Sequence, residues 1–427
     1  MTRPLRRSLL VLCLLAPPLQ AQSDPVEIEA RAGDARDWWR DAGEALRAGD
    51  SLLALARLDS AATSWPGQSA YHRAVARFAA RLGRVDRAFL ALEALTTMGV
   101  AWAEDDPTLA ALRTDPRFVA AAARNRTATA PLTRSTVAWG VQGAEILAEG
   151  LAIDSATGRS FISSVRPGRV LVRERDGQVH DFFPPGARGA RAILGMTIDR
   201  RRGLLWVTSA DTMPGGEEYP EFSHESALYA FDLATGAFRA TVELPIMGRD
   251  PAAEGHQLGD VIITPQGTLY ASDTWAGVVF RVPPGALPKV AEIVAQGSPA
   301  FRNLQGMVVT SDERVMYLAD YSHGLLRVDL ATGEVTGIPA PAGQTLLGID
   351  GMANGGPGRL LAVQNGITPV RVIAIHLDRA GWGVERIEVL DRPDLAPGEA
   401  TLAVRNGRER AYVATRPGAI RTLRVDP

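Results

Sequence analysis

Apolar positions along the chain keep one period up to about residue 126 and another from about residue 135 onward. In the first stretch Trp38, Trp39, Ala42, Ala45 and Leu46 recur at helical spacing, Gly49-Asp50 breaks the run, and Leu52, Leu55, Ala56 and Leu58 resume it. After Trp65-Pro66 the pattern returns with Ala74, Phe78, Ala79 and Leu82, a break at Gly83, then Val85, Phe89, Leu92 and Leu95. The second stretch is different. Short apolar runs of strand length alternate with Gly, Pro and Asp turns, as in Leu346–Gly366, where an apolar lead reaches Asp350-Gly351, a turn follows at Gly355–Gly358, and a strand runs from Leu360 to Val363 before a polar exit at Gln364-Asn365-Gly366.

That outline recurs from Glu149-Gly150, Leu194-Gly195, Gly259-Asp260, Gln305-Gly306 and Glu399-Ala400. About six units at a spacing of roughly 45 residues predict the four-stranded blades of a β-propeller. A second hairpin ends in the same turn twice, at Asp232–Gly236 and Asp329–Gly333, both Asp-Leu-Ala-Thr-Gly. The chain is therefore expected to be mainly β, a six-bladed propeller over 135–427 preceded by a small all-α domain over 26–126, with 127–134 as linker. The last unit has room for three strands, so Ser135–Gln142 is expected to supply its outer strand and close the ring, removing two exposed edges.

In the helical part Gly49 and Gly83 stand 34 positions apart and Leu58 falls on Leu92. That period resembles a tetratricopeptide array. Two readings stay open: a helical cap packed on the propeller, or a groove for a protein or peptide partner. Trp38 and Trp39 point about 100° apart on a helix, so at least one of them belongs to the core.

Arg3, Arg6 and Arg7 precede the apolar run Leu9–Leu15, and Leu19-Gln20-Ala21 offers a cleavage point. Residues 1–21 read as a signal peptide, which implies a periplasmic or secreted protein beginning near Gln22. The only cysteine, Cys13, lies inside it, so the mature chain would have neither disulfide nor thiol chemistry. No later apolar run is long enough to span a membrane. A formal net charge of −2 without a basic stripe argues against nucleic acid.

In a propeller the residue entering each innermost strand sits at one mouth of the central channel. That slot reads Glu149, Leu194 or Gly195, Gly259-Asp260, Gln305, Asp350 and Glu399: four carboxylates and one amide where a strand start would ordinarily avoid charge. Crowded like charges raise one another's pKa unless a cation lies among them. Oxygen ligands without Cys or paired His select a hard ion, Ca²⁺ ahead of Zn²⁺. The alternative is that some of these acids cap loop amides or pair with Arg.

These segments, Glu149-Gly150, Gly259-Asp260 with Pro265-Gln266-Gly267, Gln305-Gly306-Met307 and Asp350-Gly351-Met352, resemble the signature segments of the senescence-marker-protein/gluconolactonase/luciferin-regenerating-enzyme-like superfamily. The resemblance covers about 140 to 427. It implies a six-bladed propeller, metal-dependent hydrolysis of a lactone or small ester, and a metal held by Glu149, Gln305 and Asp350. Gly259 and Gln305 replace two of the family's Asn ligands. On this resemblance Asp350 would be both ligand and base for the attacking water, with His256 and Asp260 on the substrate side.

His323 sits at a strand exit as a candidate proton shuttle or a solvated loop residue. Asn365 sits at the equivalent exit as a turn former or a ligand contact. The insert 210–226, with acids, aromatics and His224, has the length of a lid. No nucleophile elbow, phosphate-cradling loop or paired-His helix occurs, which removes serine hydrolase, nucleotide-binding and zincin readings. Two functions remain: an exported metal-dependent hydrolase acting on a small ligand at the channel mouth, or a non-catalytic propeller that binds a ligand or protein with its helical domain.

Overall fold

The computed structural model describes residues 23–141, 146–165, 168–211, 226–245, 255–287, 289–395, 400–406, 409–414 and 419–424. The expected signal peptide, Glu399 and residues 212–225 of the insert, with His224, lie outside the described residues.

The helical part comprises α1 (Pro25–Arg47), α2 (Ser51–Ser64), α3 (Ser69–Arg81), α4 (Val85–Thr97) and α5 (Arg117–Thr129). Pro25 opens α1 behind the cap Asp24, whose side chain accepts from the Val26 N–H at 2.8 Å. Asp50 caps α2 through the Leu53 N–H at 2.9 Å. Gly49 and Gly83 both take positive φ, 79° and 67°, at the turns between α1 and α2 and between α3 and α4, which is the conformation that ends a helix tightly. Alanine lets these helices approach closely: Ala35, Ala61, Ala79, Ala88 and Ala91 are all fully buried in one core. Trp38 packs against that core, while Trp39 stays 42% exposed with its ring 5.2 Å from Tyr71.

Five blades of a propeller follow, four strands each in chain order, except that the short strand Lys289–Val290 leaves the third blade to pair parallel with Phe238–Glu243 at the edge of the second. Their inner strands are Ala148–Asp154, Ala192–Asp199, Leu258–Ile263, Leu304–Val309 and Ile349–Gly356. A further four-stranded sheet is composite: Ala400–Asn406, Glu409–Ala414 and Ala419–Arg424 come from the C-terminal segment, and Thr136–Gly140 pairs antiparallel with Ala419–Arg424 as its outer strand. Inner strands adjoin in chain order and Ala400–Asn406 adjoins Ala148–Asp154, so the ring closes. The second strand of each blade is buried on both faces, as in Leu204–Ala210, where every residue is buried. Apolar runs rather than alternation are what such a position requires.

The segment expected to be a linker is neither free nor wholly irregular. Helix α5 runs on to Thr129, and Leu132 bridges to Arg392, whose guanidinium donates to the Ala128 and Ala130 carbonyls at 2.5 and 2.7 Å. Elsewhere the two domains share cores. Ile367 of the propeller enters the helical core, and Ile28 and Trp65 pack into the core between blades 3 and 4. Ser23 and Gly337 exchange backbone hydrogen bonds, and Arg371, buried at this seam, donates to the Met98 carbonyl at 3.1 Å. Among the described residues no helix is long and apolar enough to cross a membrane.

Candidate functional site

One irregularity repeats around the ring and creates the site. Each inner strand pairs at its start, slips register, and pairs again three positions later: Ala148/Leu151, Ile193/Met196, Leu258/Val261, Leu304/Met307, Ile349/Met352 and Ala400/Ala403. The two skipped residues form a bulge, which re-aims side chains out of the sheet. They are Glu149-Gly150, Leu194-Gly195, Gly259-Asp260, Gln305-Gly306, Asp350-Gly351 and Thr401-Leu402. In the composite sheet the backbone register places Thr401-Leu402 at the equivalent positions, while Glu399 lies outside the described residues.

The glycine of the pair is dictated by the crowding of inner strands at the axis. A Cβ on Gly150 would sit 2.2 Å from the Leu194 carbonyl oxygen, and one on Gly306 would sit 2.3 Å from the Met352 nitrogen. Hydroxyls on second strands stitch each bulge to the next blade. Ser163 donates to the Leu194 carbonyl at 2.6 Å, Thr208 to the Gly259 carbonyl at 2.6 Å, and Ser272 to the Gln305 carbonyl at 3.3 Å. In the third blade the order of the pair is inverted, so Asp260 occupies the position that is glycine in the other four described blades.

The structure brings Glu149, Asp260, Gln305 and Asp350 into one cavity of about 610 Å³ at the mouth, together with Gln257, Thr274, Trp275, Arg302 and Asn303. The three acids come from three different blades and are each half-buried. Desolvation pushes the Asp260 carboxyl up to about 7, with the Asp350 charge adding to it. Desolvation likewise lifts Asp350 to about 6, against a hydrogen bond from Asn365 that lowers it. Glu149 is raised well above its ordinary value by burial first and by Asp350 and Asp260 after it. Three carboxyls that resist ionisation in one cavity are a store of electrostatic strain that protons or a cation relieve.

Asn365 lies behind the mouth. Its Nδ2 donates to Asp350 Oδ2 at 2.5 Å while its Oδ1 accepts from the Tyr321 hydroxyl at 3.0 Å. That chain fixes the rotamer of Asp350, and burial beside Asp350 pushes the Tyr321 phenol up to about 12. Gln305 donates its Nε2 to Asn303 Oδ1 at 2.7 Å, leaving its own carbonyl oxygen as the acceptor.

Two expected site residues are elsewhere. His256 does not line the mouth: Nδ1 contacts Asp273 Oδ2 at 2.6 Å, Nε2 meets the Pro245 carbonyl at 3.2 Å, and the ring packs edge-on against Phe280. Asp273 ends a second strand and its other oxygen collects the N–H groups of Gln257, Trp275 and Ala276, so His256 braces a loop. His323 is buried at the seam with α1, its Nε2 3.0 Å from Glu29 Oε2 and its Nδ1 3.1 Å from the Ala300 carbonyl. It also packs edge-on against Trp65. A proton shuttle needs access to the reacting atoms, and His323, buried at the seam, faces Glu29 instead.

Residues missed from the sequence are Asn303, Arg302, Gln257, Thr274 and Trp275. The signal for Arg302 and Asn303 was their place directly before the bulge of the fourth blade. Trp275 follows the buried Asp273 that shapes its loop.

As a metal site the mouth fits in part. Its donors are all oxygens, which suits a hard ion, but among the described residues no group of three or more His, Cys, Asp or Glu stands close enough to hold one without help from amides or water.

No family model matches this sequence, and neither does any curated protein. Among solved structures, the chain is similar to a gluconolactonase from Xanthomonas campestris, with 16% identity over 70% of this chain and 92% of that one and a TM-score of 0.47. A periplasmic gluconolactonase from Pseudomonas aeruginosa is 15% identical over 65% and 81%, with a TM-score of 0.44. Virginiamycin B lyase from Staphylococcus aureus is 13% identical over 67% and 98%, with a TM-score of 0.45. Likenesses this distant carry no argument about activity.

Proposed function

We infer that the mouth is a ligand-binding and hydrolytic site of lactonase type, acting on a lactone or small ester in an exported six-bladed propeller whose composite sheet is the sixth blade. The observation that carries this reading is the set Glu149, Asp260 and Asp350, three acids with raised pKa values facing one open cavity. Glu149, Asp350 and the Gln305 carbonyl oxygen would hold a divalent cation, Ca²⁺ before Zn²⁺, with Asp260 beside them. Such an ion supplies Lewis acidity toward an ester carbonyl.

The protein's own groups account for the rest. Asp350, oriented by Asn365 and Tyr321, accepts the proton of the attacking water as the water oxygen bonds to the acyl carbon. Asp260, in the same cavity, is the group placed to give a proton to the leaving oxygen as the acyl C–O bond breaks. Gln305 and Asn303 bond to each other on one wall and offer amide groups to the ligand.

The second reading is a non-catalytic propeller that binds a ligand or a protein through its tetratricopeptide-like helices. The observation that favours it is apolar exposure on those helices, where Leu52, Leu90 and Val119 are more than half exposed and Trp39 is 42% exposed.

Calorimetric titration of Ca²⁺ and Zn²⁺ into metal-stripped protein, with Glu149→Gln and Asp350→Asn alongside, tests the choice. Micromolar binding abolished in both variants, followed by turnover in a lactone and ester screen, supports the hydrolase. Wild-type protein that binds neither ion and turns over nothing sinks it.

A further inference from the structure

A second cavity, of about 310 Å³, lies at the seam between the two domains and shares no lining residue with the mouth. On one side stand the start of α1, through Glu27, Ile28 and Arg31, and the turn Trp65-Pro66-Gly67 between α2 and α3. On the other stand Gly337 and Ile338 of the fourth blade's outer strand, Val335–Ile338, and residues 339–347, which lead into the fifth blade.

Contacts on several sides hold these walls in place. Ser23 and Gly337 exchange backbone hydrogen bonds at 3.3 and 2.9 Å, and Trp65 Nε1 donates to the Ser322 carbonyl at 3.3 Å. A Cβ on Gly67 would sit 3.2 Å from Thr345 Oγ1, and one on Gly343 would sit 2.8 Å from Thr97 Cγ2 of α4. A space pinned in this way cannot close by a small shift of one wall, and its lining forfeits dispersion contacts that a guest restores.

Most of the lining is apolar, with Ile28, Leu325, Ile338, Pro339, Leu346 and Leu347 among it. Three titratable residues line it too. His323 turns its ring nitrogens to Glu29, at 3.0 Å, and to the Ala300 carbonyl, at 3.1 Å. Glu27 and Arg31 are exposed and stand four residues apart on one face of α1, so their opposite charges offset each other at the cavity. Gln344 brings a side-chain amide, a donor and an acceptor in one group.

We propose that the seam cavity binds a small uncharged molecule, apolar over most of its surface, with one hydroxyl or amide head. Its size follows from the volume. An apolar cavity of about 150 Å³ holds benzene, and this one, about twice as large, holds a two-ring hydrocarbon. Its neutrality follows from the rim. A carboxylate gains from Arg31 and loses to Glu27, an ammonium ion does the reverse, and either gives up water that a hydroxyl on Gln344 replaces more cheaply. A cavity of this volume at a domain interface, apolar with a few polar groups, is the ordinary form of a small-molecule site. The guest touches both domains and stabilises their docking by mass action. The proposal is independent of the hydrolase reading.

Calorimetric titration of the full-length protein with 2-naphthalenemethanol and its charged twins, 2-naphthoate and 2-naphthylmethylammonium, tests it. The alcohol is expected to bind at least about threefold more tightly than either twin and to raise Tm. Glu27→Gln should bring the carboxylate up to the alcohol, and Arg31→Gln should do the same for the ammonium ion. Gln344→Leu should weaken the alcohol by about fivefold, the worth of one hydrogen bond. Ala340→Phe adds a ring at the lining and should abolish binding of all three, whereas Glu149→Gln at the mouth should leave it unchanged. Alcohol binding that survives Ala340→Phe in a variant melting like wild type, or that Glu149→Gln removes, puts the probe elsewhere and overturns the proposal. A charged twin that binds wild type as tightly as the alcohol overturns it too. So does failure of all three to bind, whether residues before Ser23 fill the cavity or a second copy of the chain covers it.

Discussion

Asp260 is the place to measure how much strain the mouth holds. Its carboxyl stands at about 7 against an ordinary 3.8, because folding desolvates it and sets it near Asp350. Three units at about 1.4 kcal/mol each put the ceiling at ~4 kcal/mol once the group is ionised. Solvent enters the cavity, so about half of that, ~2 kcal/mol, is the expected figure. The sign follows from linkage. An acid whose folded pKa is raised contributes stability fully present below its unfolded pKa, near 4, and lost as pH climbs to about 7. Asp260→Asn keeps an oxygen to accept the Val261 N–H and removes the charge.

In EDTA at pH 8 the variant should therefore be more stable than wild type by ~2 kcal/mol, raising Tm by about 3 °C for a domain of this size. At pH 4 the gap should close to within about 0.5 kcal/mol. Scanning calorimetry of both proteins at the two pH values measures it. Adding Ca²⁺ at pH 8 should stabilise wild type more than the variant. A gap that is the same at both pH values, or a variant less stable at pH 8, refutes the argument that the acids repel.

Three more expectations follow from the geometry. Gly306→Ala drives a Cβ to 2.3 Å from the Met352 nitrogen, backbone against backbone, and should cost at least about 3 kcal/mol in urea unfolding; a loss under about 1 kcal/mol would mean the inner strands are not packed so tightly. Asn365→Ala removes the donor that holds Asp350 down, so its pKa should rise from about 6 by about one unit, moving the acidic limb of any pH–rate profile to higher pH; carboxyl NMR reads the same shift, and an unmoved Asp350 resonance would rule out the positioning role. Glu29→Ala breaks the ties to Arg302 and His323 together, and hydrogen exchange should quicken at residues 300–305 while the second blade stays protected; uniform quickening would point to general destabilisation.

The sequence by itself carried the repeat and therefore most of the architecture. A blade is a local object, since its strands are consecutive and its turns need Gly, Pro or Asp at fixed places. The spacing of Glu149, Leu194, Gln305 and Asp350 marked the inner strands before any contact was known. The boundary between helices and strands was also local, because the two periods differ. Glu149, Asp260, Gln305 and Asp350 were legible as mouth residues for the same reason, being equivalent positions in a ring.

What the tertiary structure decided is what equivalence cannot show. The bulge repeated in every inner strand is one such feature, because register depends on which residues of the neighbouring strand find partners. His256 and His323 looked like chemistry and proved to be bracing, since burial against Asp273 and Glu29 is a property of the assembled blades and of the docking of α1. Arg302 and Trp275 carry no repeat signal, and only the packing of the third and fourth blades brings both to the wall of one cavity. The raised pKa values of the acids likewise belong to no residue alone. They arise where blades far apart in the chain withdraw water from three carboxyls at once.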